Sequence, residues 1–389
     1  MTEDLGRDRW LAELRQRVPE IAATDALSRQ LDGALLIDVR EDNERSEGTP
    51  AGASGLSRGF LELRIEQIEP DRQREILVLC GSGQRSLLAA EALQRMGYAR
   101  VSSVAGGMAA WKVAGLPVLA GALDSDAAER YARQVLLPQV GEAGQSRLAA
   151  ARVAVIGAGG LGSPALLYLA AAGVGHLTLI DDDRVERSNL HRQVVHADAR
   201  VGMSKAESAR MTLLALNPRI HVRVVVERLR ADNVEEMIGG HDVVIDGADN
   251  FATRYLLAAA TRRLGLPMVY AAIERFTGQA SVFDPRREDS PCYRCLFPEP
   301  PAAADAPNCS EAGVLGVLPG LVGMVQATEA MKLILGVGET LVGRLLTYNA
   351  LGMRFRELKL RRDPQCPGCG DGASFDGYVD LERMCAIAG

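Results

Sequence analysis

No run of apolar residues in this chain reaches the roughly 18 needed to cross a bilayer. The longest apolar-rich stretch, Pro164 to Val174, is short and follows a glycine loop, so it reads as a core helix. The N-terminus mixes acidic and basic residues and has no secretory h-region, and a cytoplasmic location is expected. Excess positive charge is missing too. The net charge is −6, so neither nucleic acid nor an anionic membrane is expected as a partner. Internal repeats are absent. A disulfide framework is also not expected, because four of the seven cysteines form two C-x-x-C pairs, a pattern that argues for metal in a cytosolic protein. What is present is the composition of a globular enzyme, 47% hydrophobic and 24% charged, and 389 residues are enough for two domains.

Two α/β series fill that length. The first runs from about Arg17 to Leu119, with Leu35–Val39 and Ile76–Leu79 as short buried strands. In it, Leu87, Leu88, Ala90, Leu93 and Met96 share one helix face. The second opens with Arg152–Ile156 and continues with strands at Leu177–Ile180, Val222–Val226, Val243–Ile245 and Pro267–Tyr270. Helical segments between them give the pattern of a doubly wound sheet. The expected division is residues 1–121, a linker at 122–128, a second domain at 129–371 and a tail at 372–389. The Pro/Ala-rich stretch Glu299 to Asn308 reads as an exposed crossing segment.

Cys80 ends an apolar strand and is followed by Gly-Ser-Gly-Gln-Arg, after which a helix begins. Such a loop can turn backbone N–H groups toward an anion. The helix N-terminus and Arg85 would favour thiolate and stabilise a persulfide. The competing reading is a buried structural cysteine at a strand end.

Gly157-Ala158-Gly159-Gly160-Leu161-Gly162 follows a strand and precedes a helix, and Asp181 ends the next strand. This is the G-x-G-x-x-G context for phosphate, with the acid placed for ribose hydroxyls. NAD, FAD and ATP enzymes all use it. Ser188-Asn189-Leu190-His191-Arg192-Gln193, Lys205 and Asp249-Asn250 discriminate among them. Arg192 and Lys205 can neutralise a triphosphate, and Asp249 can hold the Mg2+ that bridges phosphates. His191 is assigned to orienting the nucleotide loop. Together these residues point to ATP.

Cys292-x-x-Cys295 and Cys366-x-x-Cys369 supply four soft ligands, the description of a structural Zn2+ site. Two redox-active pairs are the alternative. Cys309 follows the Pro/Ala-rich segment and could reach an activated acyl group, or be an incidental thiol. Cys385 is assigned no role.

Leu36-Ile37-Asp38-Val39-Arg40-Glu41, the C-G-S-G-Q-R-S loop and V-A-G-G-M-A-A-W-K-V-A-G-L-P-V at 104–118 resemble a single-domain rhodanese. That resemblance makes Cys80 the persulfide carrier, with Asp38 and Arg40 structural. The segment E-G-T-P-A-G-A at 47–53 departs from the G-H-I-P-G-A common in that family. Residues from about 129 to 371 resemble the adenylating enzymes that activate ubiquitin-like sulfur carriers, molybdopterin-synthase adenylyltransferase and its thiamine-pathway relatives. The motifs are R-Y-A-R-Q at 130–134, the glycine loop, S-N-L-H-R-Q, M-S-K-A-E-S, G-A-D-N, P-C-Y-R-C-L-F and N-C-S-E-A-G-V-L-G.

The resemblance implies that Gly160, Asp181, Asn189, Arg192, Lys205, Asp249 and Asn250 bind ATP or its magnesium. It implies that Arg133 reaches the nucleotide of the other subunit of a homodimer, and that Cys309 can bond to the carrier. The implied substrate is a ubiquitin-like carrier ending in Gly-Gly. Its carboxylate would be adenylated and then converted to a thiocarboxylate with sulfur from Cys80. Thiosulfate or a cysteine desulfurase would supply that sulfur. The alternatives are an NAD-dependent dehydrogenase with an accessory rhodanese domain, for which no hydride-transfer acid/base set is found, and a non-catalytic carrier-docking scaffold.

Overall fold

The computed structural model describes residues 6–45, 48–119, 123–300, 313–375 and 377–378. Cys309 and Cys385 lie outside the described residues. The chain divides into two compact units, Met1–Arg147 and Leu148–Gly389. Among the described residues, no helix is long and apolar enough to cross a membrane.

The first unit contains β1 (Glu20–Ile21), β2 (Leu35–Asp38), β3 (Thr49–Pro50), β4 (Ser54–Gly55), β5 (Ile76–Leu79), β6 (Val101–Val104) and β7 (Val118–Leu119). Five of these form a parallel sheet in the order β1-β6-β5-β2-β4. β3 and β7 pair separately as a short antiparallel ribbon. Every residue of the central strand β5 is buried, which is why it reads as an unbroken Ile-Leu-Val-Leu run instead of an alternating one. Val78 and Cys80 join one apolar cluster, and Leu77 and Leu79 join another that includes Trp111. The strand that delivers Cys80 is thereby fixed on both faces.

The second unit contains β8 (Arg152–Ile156), β9 (His176–Ile180), β10 (His221–Val225), β11 (Val243–Asp246), β12 (Met268–Glu274), β13 (Thr277–Phe283), β14 (Arg344–Asn349) and β15 (Arg354–Lys359). Their order is β10-β9-β8-β11-β12-β13-β14-β15. The first five are parallel, at the positions the sequence indicates to within three residues or fewer at most ends. The last three extend the sheet antiparallel and were not anticipated.

The strand order reverses between β8 and β11. In an open α/β sheet such a reversal leaves a crevice beyond the carboxyl ends of the strands, where ligands bind. The glycine loop leaves β8 there, and Asp249 follows β11. The helix Leu318–Leu335 packs against the helix Gly162–Ala172 and against β12. Its buried Gln326 donates through Nε2 to the carbonyls of Asp246 and Val269, at 2.7 and 3.0 Å. These bonds tie the end of β11 to the start of β12.

Candidate functional site

Cys80 is 1% exposed at the end of β5. Its Sγ accepts a hydrogen bond from the Gly83 backbone N–H at 3.2 Å and donates to Ser86 Oγ at 3.5 Å. Ser86 is held in turn by the hydroxyl of Ser103, 2.9 Å away. The loop closes against the helix Gly107–Val113 through Met108 N–H to the Cys80 carbonyl at 2.7 Å. That closure requires glycine at 107. Its φ is +54°, and a Cβ there would lie 2.1 Å from the Cys80 oxygen. Arg85, expected to favour the thiolate, lies in the field of Cys80 and gives both terminal nitrogens to Glu44, at 2.6 Å each. The Arg85 hydrogen bonds hold the Glu44 carboxyl down at about 2. Asp38 and Arg40 form a buried ion pair at 2.6 Å, in keeping with a structural role.

In the second unit one cavity of about 280 Å³ gathers Gly157, Gly159, Gly160, Asp181, Arg192, Lys205, Asp249 and Asn250. Gly162 lies beneath it. A Cβ there would come 1.9 Å from the Gly157 carbonyl, so the first turn of the helix can close on the loop only with glycine. Asp181 Oδ2 accepts the Ala158 N–H at 2.7 Å and Oδ1 accepts the Asp183 N–H at 2.9 Å. Burial raises its pKa against the opposing field of Lys205. Lys205 starts the helix Lys205–Leu216, whose N-cap Ser204 accepts from Glu207 N–H. Its Nζ meets Asp183 at 2.6 Å.

The residues at 188–191 stand outside the cavity lining, and three of them brace Arg192. Arg192 donates to Asn189 Oδ1 at 2.9 Å and to the Ser188 carbonyl at 3.3 Å, and lies 2.9 Å from His191 Nε2. Leu190 ends the short turn that carries Asn189. Asn250 caps the helix Phe251–Leu264 through Thr253 N–H, at 2.8 Å. Arg133 lies in the first unit, exposed on the short helix Ala132–Val135.

Asp183 and Arg254 line the cavity without having been singled out in the sequence, and Gln193, named there only within S-N-L-H-R-Q, lines it too. Asp183 pairs with Lys205, and Arg254 separates this cavity from a second one. Gln193 is 4% exposed, and its Oε1 is buried without a hydrogen-bond partner. Gln193 was in view as the last letter of S-N-L-H-R-Q, but spacing alone could not say which way its amide turns. Behind the loop His196, also unsuspected, bridges Ser208 Oγ and the Ala158 carbonyl at 3.0 Å each. Burial lowers its pKa to about 4, so the imidazole is neutral.

The second cavity, of about 680 Å³, shares Asp249, Arg254 and Ile273 with the first and extends to Gln279, Thr347, Arg354 and Arg356. Further along, Cys292, Cys295, Cys366 and Cys369 converge, all four sulfurs within 4.8 Å of one another. The Cys292–Cys366 and Cys295–Cys369 separations are 3.6 and 3.3 Å. Tetrahedral zinc with Zn–S of about 2.3 Å sets sulfurs about 3.8 Å apart, so the cluster fits that ion.

Fold and site together define a nucleotide-binding, adenylating α/β enzyme joined to a rhodanese-like domain. The chain belongs to the ThiF family, whose model matches residues 131–368, and a rhodanese-like domain is matched over residues 23–114. It is 52% identical over 268 residues to the SAMP-activating enzyme E1 of Haloferax volcanii, covering 68% of this chain and 98% of that protein. With the sulfur carrier protein adenylyltransferase of Thermus thermophilus the identity is 50% over 262 residues, covering 67% and 97%. With the probable adenylyltransferase/sulfurtransferase MoeZ of Mycobacterium tuberculosis it is 49% over 273 residues, covering 69% and 67%. A crystal structure of E. coli MccB with ATP shares the fold, with a TM-score of 0.56 at 21% identity over 65% of this chain and 77% of that one.

Proposed function

We propose that this chain adenylates the C-terminal glycine of a ubiquitin-like sulfur-carrier protein and then exchanges the activated oxygen for sulfur held on Cys80. The observation that carries this reading is the crevice at the β8/β11 reversal, where the glycine loop, Arg192, Lys205 and Asp249 line one cavity. The relatives named for carrier adenylation and sulfur transfer support it.

In the first step the carrier carboxylate attacks the α-phosphate of ATP and pyrophosphate leaves. Glycine-loop amides hold the phosphates, while Arg192 and Lys205 offset the charge that develops. Magnesium, bound through Asp249, would further neutralise the phosphates. The second cavity, walled by Phe251, Tyr270, Phe297 and Tyr348 with Gln279, Arg354 and Arg356 among them, has the size for an extended Gly-Gly tail. In the second step the Cys80 persulfide attacks the acyl-adenylate and AMP leaves, giving an acyl disulfide. A thiol, Cys309 or an external dithiol, attacks the Cys80 sulfur and releases the thiocarboxylate. The resulting disulfide is then reduced by the external dithiol.

The reading includes zinc on the four thiolates as a fold staple, and a homodimer in which Arg133 serves the neighbouring nucleotide. It keeps the domain limits at 1–121 and 129–371 and a cytoplasmic setting. Pyrophosphate–ATP exchange tests its first step. Exchange should require both a carrier ending in Gly-Gly and Asp249. Exchange without carrier, or an Asp249→Ala variant with full activity, would contradict it.

A further inference from the structure

Glu44 sits on the short helix Asp42–Arg45 that follows β2, and it grips Arg85 in a two-pronged ion pair. The pair lies over the residue next to the nucleophile. A Cβ on Gly81 would be 3.3 Å from Arg85 Nη2 and 3.8 Å from Glu44 Oε1. Glu41 adds a second carboxylate to the field at Arg85. The neighbouring guanidiniums are engaged elsewhere. Arg40 is buried against Asp38, and Arg45 donates to the Arg40 carbonyl and Ser57 Oγ. Among the described residues, Arg85 and the carboxylates of Glu44 and Glu41 therefore set the charge at the loop that carries Cys80.

That balance bears on the sulfur donor. Thiosulfate brings two negative charges to the thiolate, whereas an organic persulfide brings one at most. The bond changes are the same in both cases. The Cys80 thiolate attacks the outer sulfur, the donor S–S bond breaks, and sulfite or a thiolate leaves with the electron pair.

We infer that Glu44 determines donor specificity: by neutralising Arg85 it disfavours dianionic thiosulfate and favours a persulfide donor of low charge. This rests on the reading of Cys80 as the sulfur carrier. Glu44 is a positioning residue, since it acts through Arg85.

The test uses the full-length protein, with thiosulfate as donor and cyanide as acceptor. Glu44→Gln keeps the shape of the pair and removes its negative charge. It should lower the KM for thiosulfate about ten-fold while kcat stays within about two-fold, and the KM should become more sensitive to salt. Glu44→Asp, which restores the charge, should return the KM toward wild type. A second readout needs no turnover. The rate of Cys80 alkylation by anionic iodoacetate relative to neutral iodoacetamide, followed on the Cys80 peptide, should rise in Glu44→Gln. An unchanged KM with a reduced kcat, or an unchanged alkylation ratio, would overturn the inference. If the wild-type Cys80 peptide gains no sulfur from thiosulfate or from an organic persulfide, the sulfur-carrier reading fails instead. The alkylation ratio still decides the role of Glu44 in that case.

Discussion

Lys205 Nζ lies 2.6 Å from Asp183 Oδ2, yet the lysine side chain is 8% exposed and the aspartate 65%. The cation is held in the cavity wall while its counter-ion stays hydrated. Removing the ammonium therefore leaves its ion-pair partner hydrated, while Asp181, which the field of Lys205 holds down, shifts further up. Lys205→Met, which keeps the apolar stem, should lower carrier-dependent pyrophosphate exchange by about 100-fold and leave the melting temperature nearly unchanged. Exchange kinetics and calorimetry on the same preparation check both halves. Full exchange, or a large loss of stability, would remove Lys205 from its assigned role.

The four-thiolate cluster makes a prediction of the opposite kind. Three of its cysteines are buried, and they join segments more than 70 residues apart, 292–295 and 366–369. Cys366→Ser should release the zinc and destabilise the fold by about 3 kcal/mol or more, without a direct effect on Cys80 alkylation. Metal analysis and thermal melting provide the readout. A variant that keeps its metal and its melting curve would exclude a four-thiolate site.

Two buried groups give stability a structured pH dependence. His196 titrates at about 4 when folded, below its ordinary 6.5, because burial disfavours its charged form. The unfolded chain takes up that proton first, so this contribution is intact above pH 6.5 and is lost as pH falls toward 4. The two values correspond to about 3 kcal/mol. Asp246, buried and only partly compensated by Arg254, is raised to about 6. Its contribution is present at acid pH and is lost as pH rises through about 6. The two slopes oppose each other. Replacing His196 with Gln should therefore make urea stability fall less steeply on acidification between about pH 6.5 and 4.5. An identical pH profile for the variant would show that His196 does not titrate as described.

Much of this was legible in the sequence because its signals are local. The loop 157–162 between a β-branched strand and an apolar helix, Asp181 one strand later, and the two C-x-x-C knuckles are each set by spacing. The parts that escaped depend on partners far away in the chain. β13 to β15 were hidden because β15 is exposed along its whole length and its Arg-Phe-Arg-Glu-Leu-Lys sequence carries little apolar signal. Asp183 and Glu44 carry no motif of their own, and only the fold brings Lys205 and Arg85 to them. The tail past Gly372 also had no readable pattern. Its Tyr378 nevertheless donates to Glu235 at 2.5 Å, and Phe375 lies against the Arg263 guanidinium, contacts made by residues more than 100 positions away.

The central claim is a division of labour, in which the nucleotide cavity activates the carrier and Cys80 supplies the sulfur. Intact-mass measurement of a carrier ending in Gly-Gly, incubated with ATP, a persulfide donor, a dithiol and either wild type or Cys80→Ala, tests it most directly. With wild type the carrier should gain the mass difference between one sulfur and one oxygen. With Cys80→Ala it should gain none, while pyrophosphate exchange continues at the wild-type rate. Thiocarboxylate formed by Cys80→Ala, or exchange lost along with it, would contradict the account.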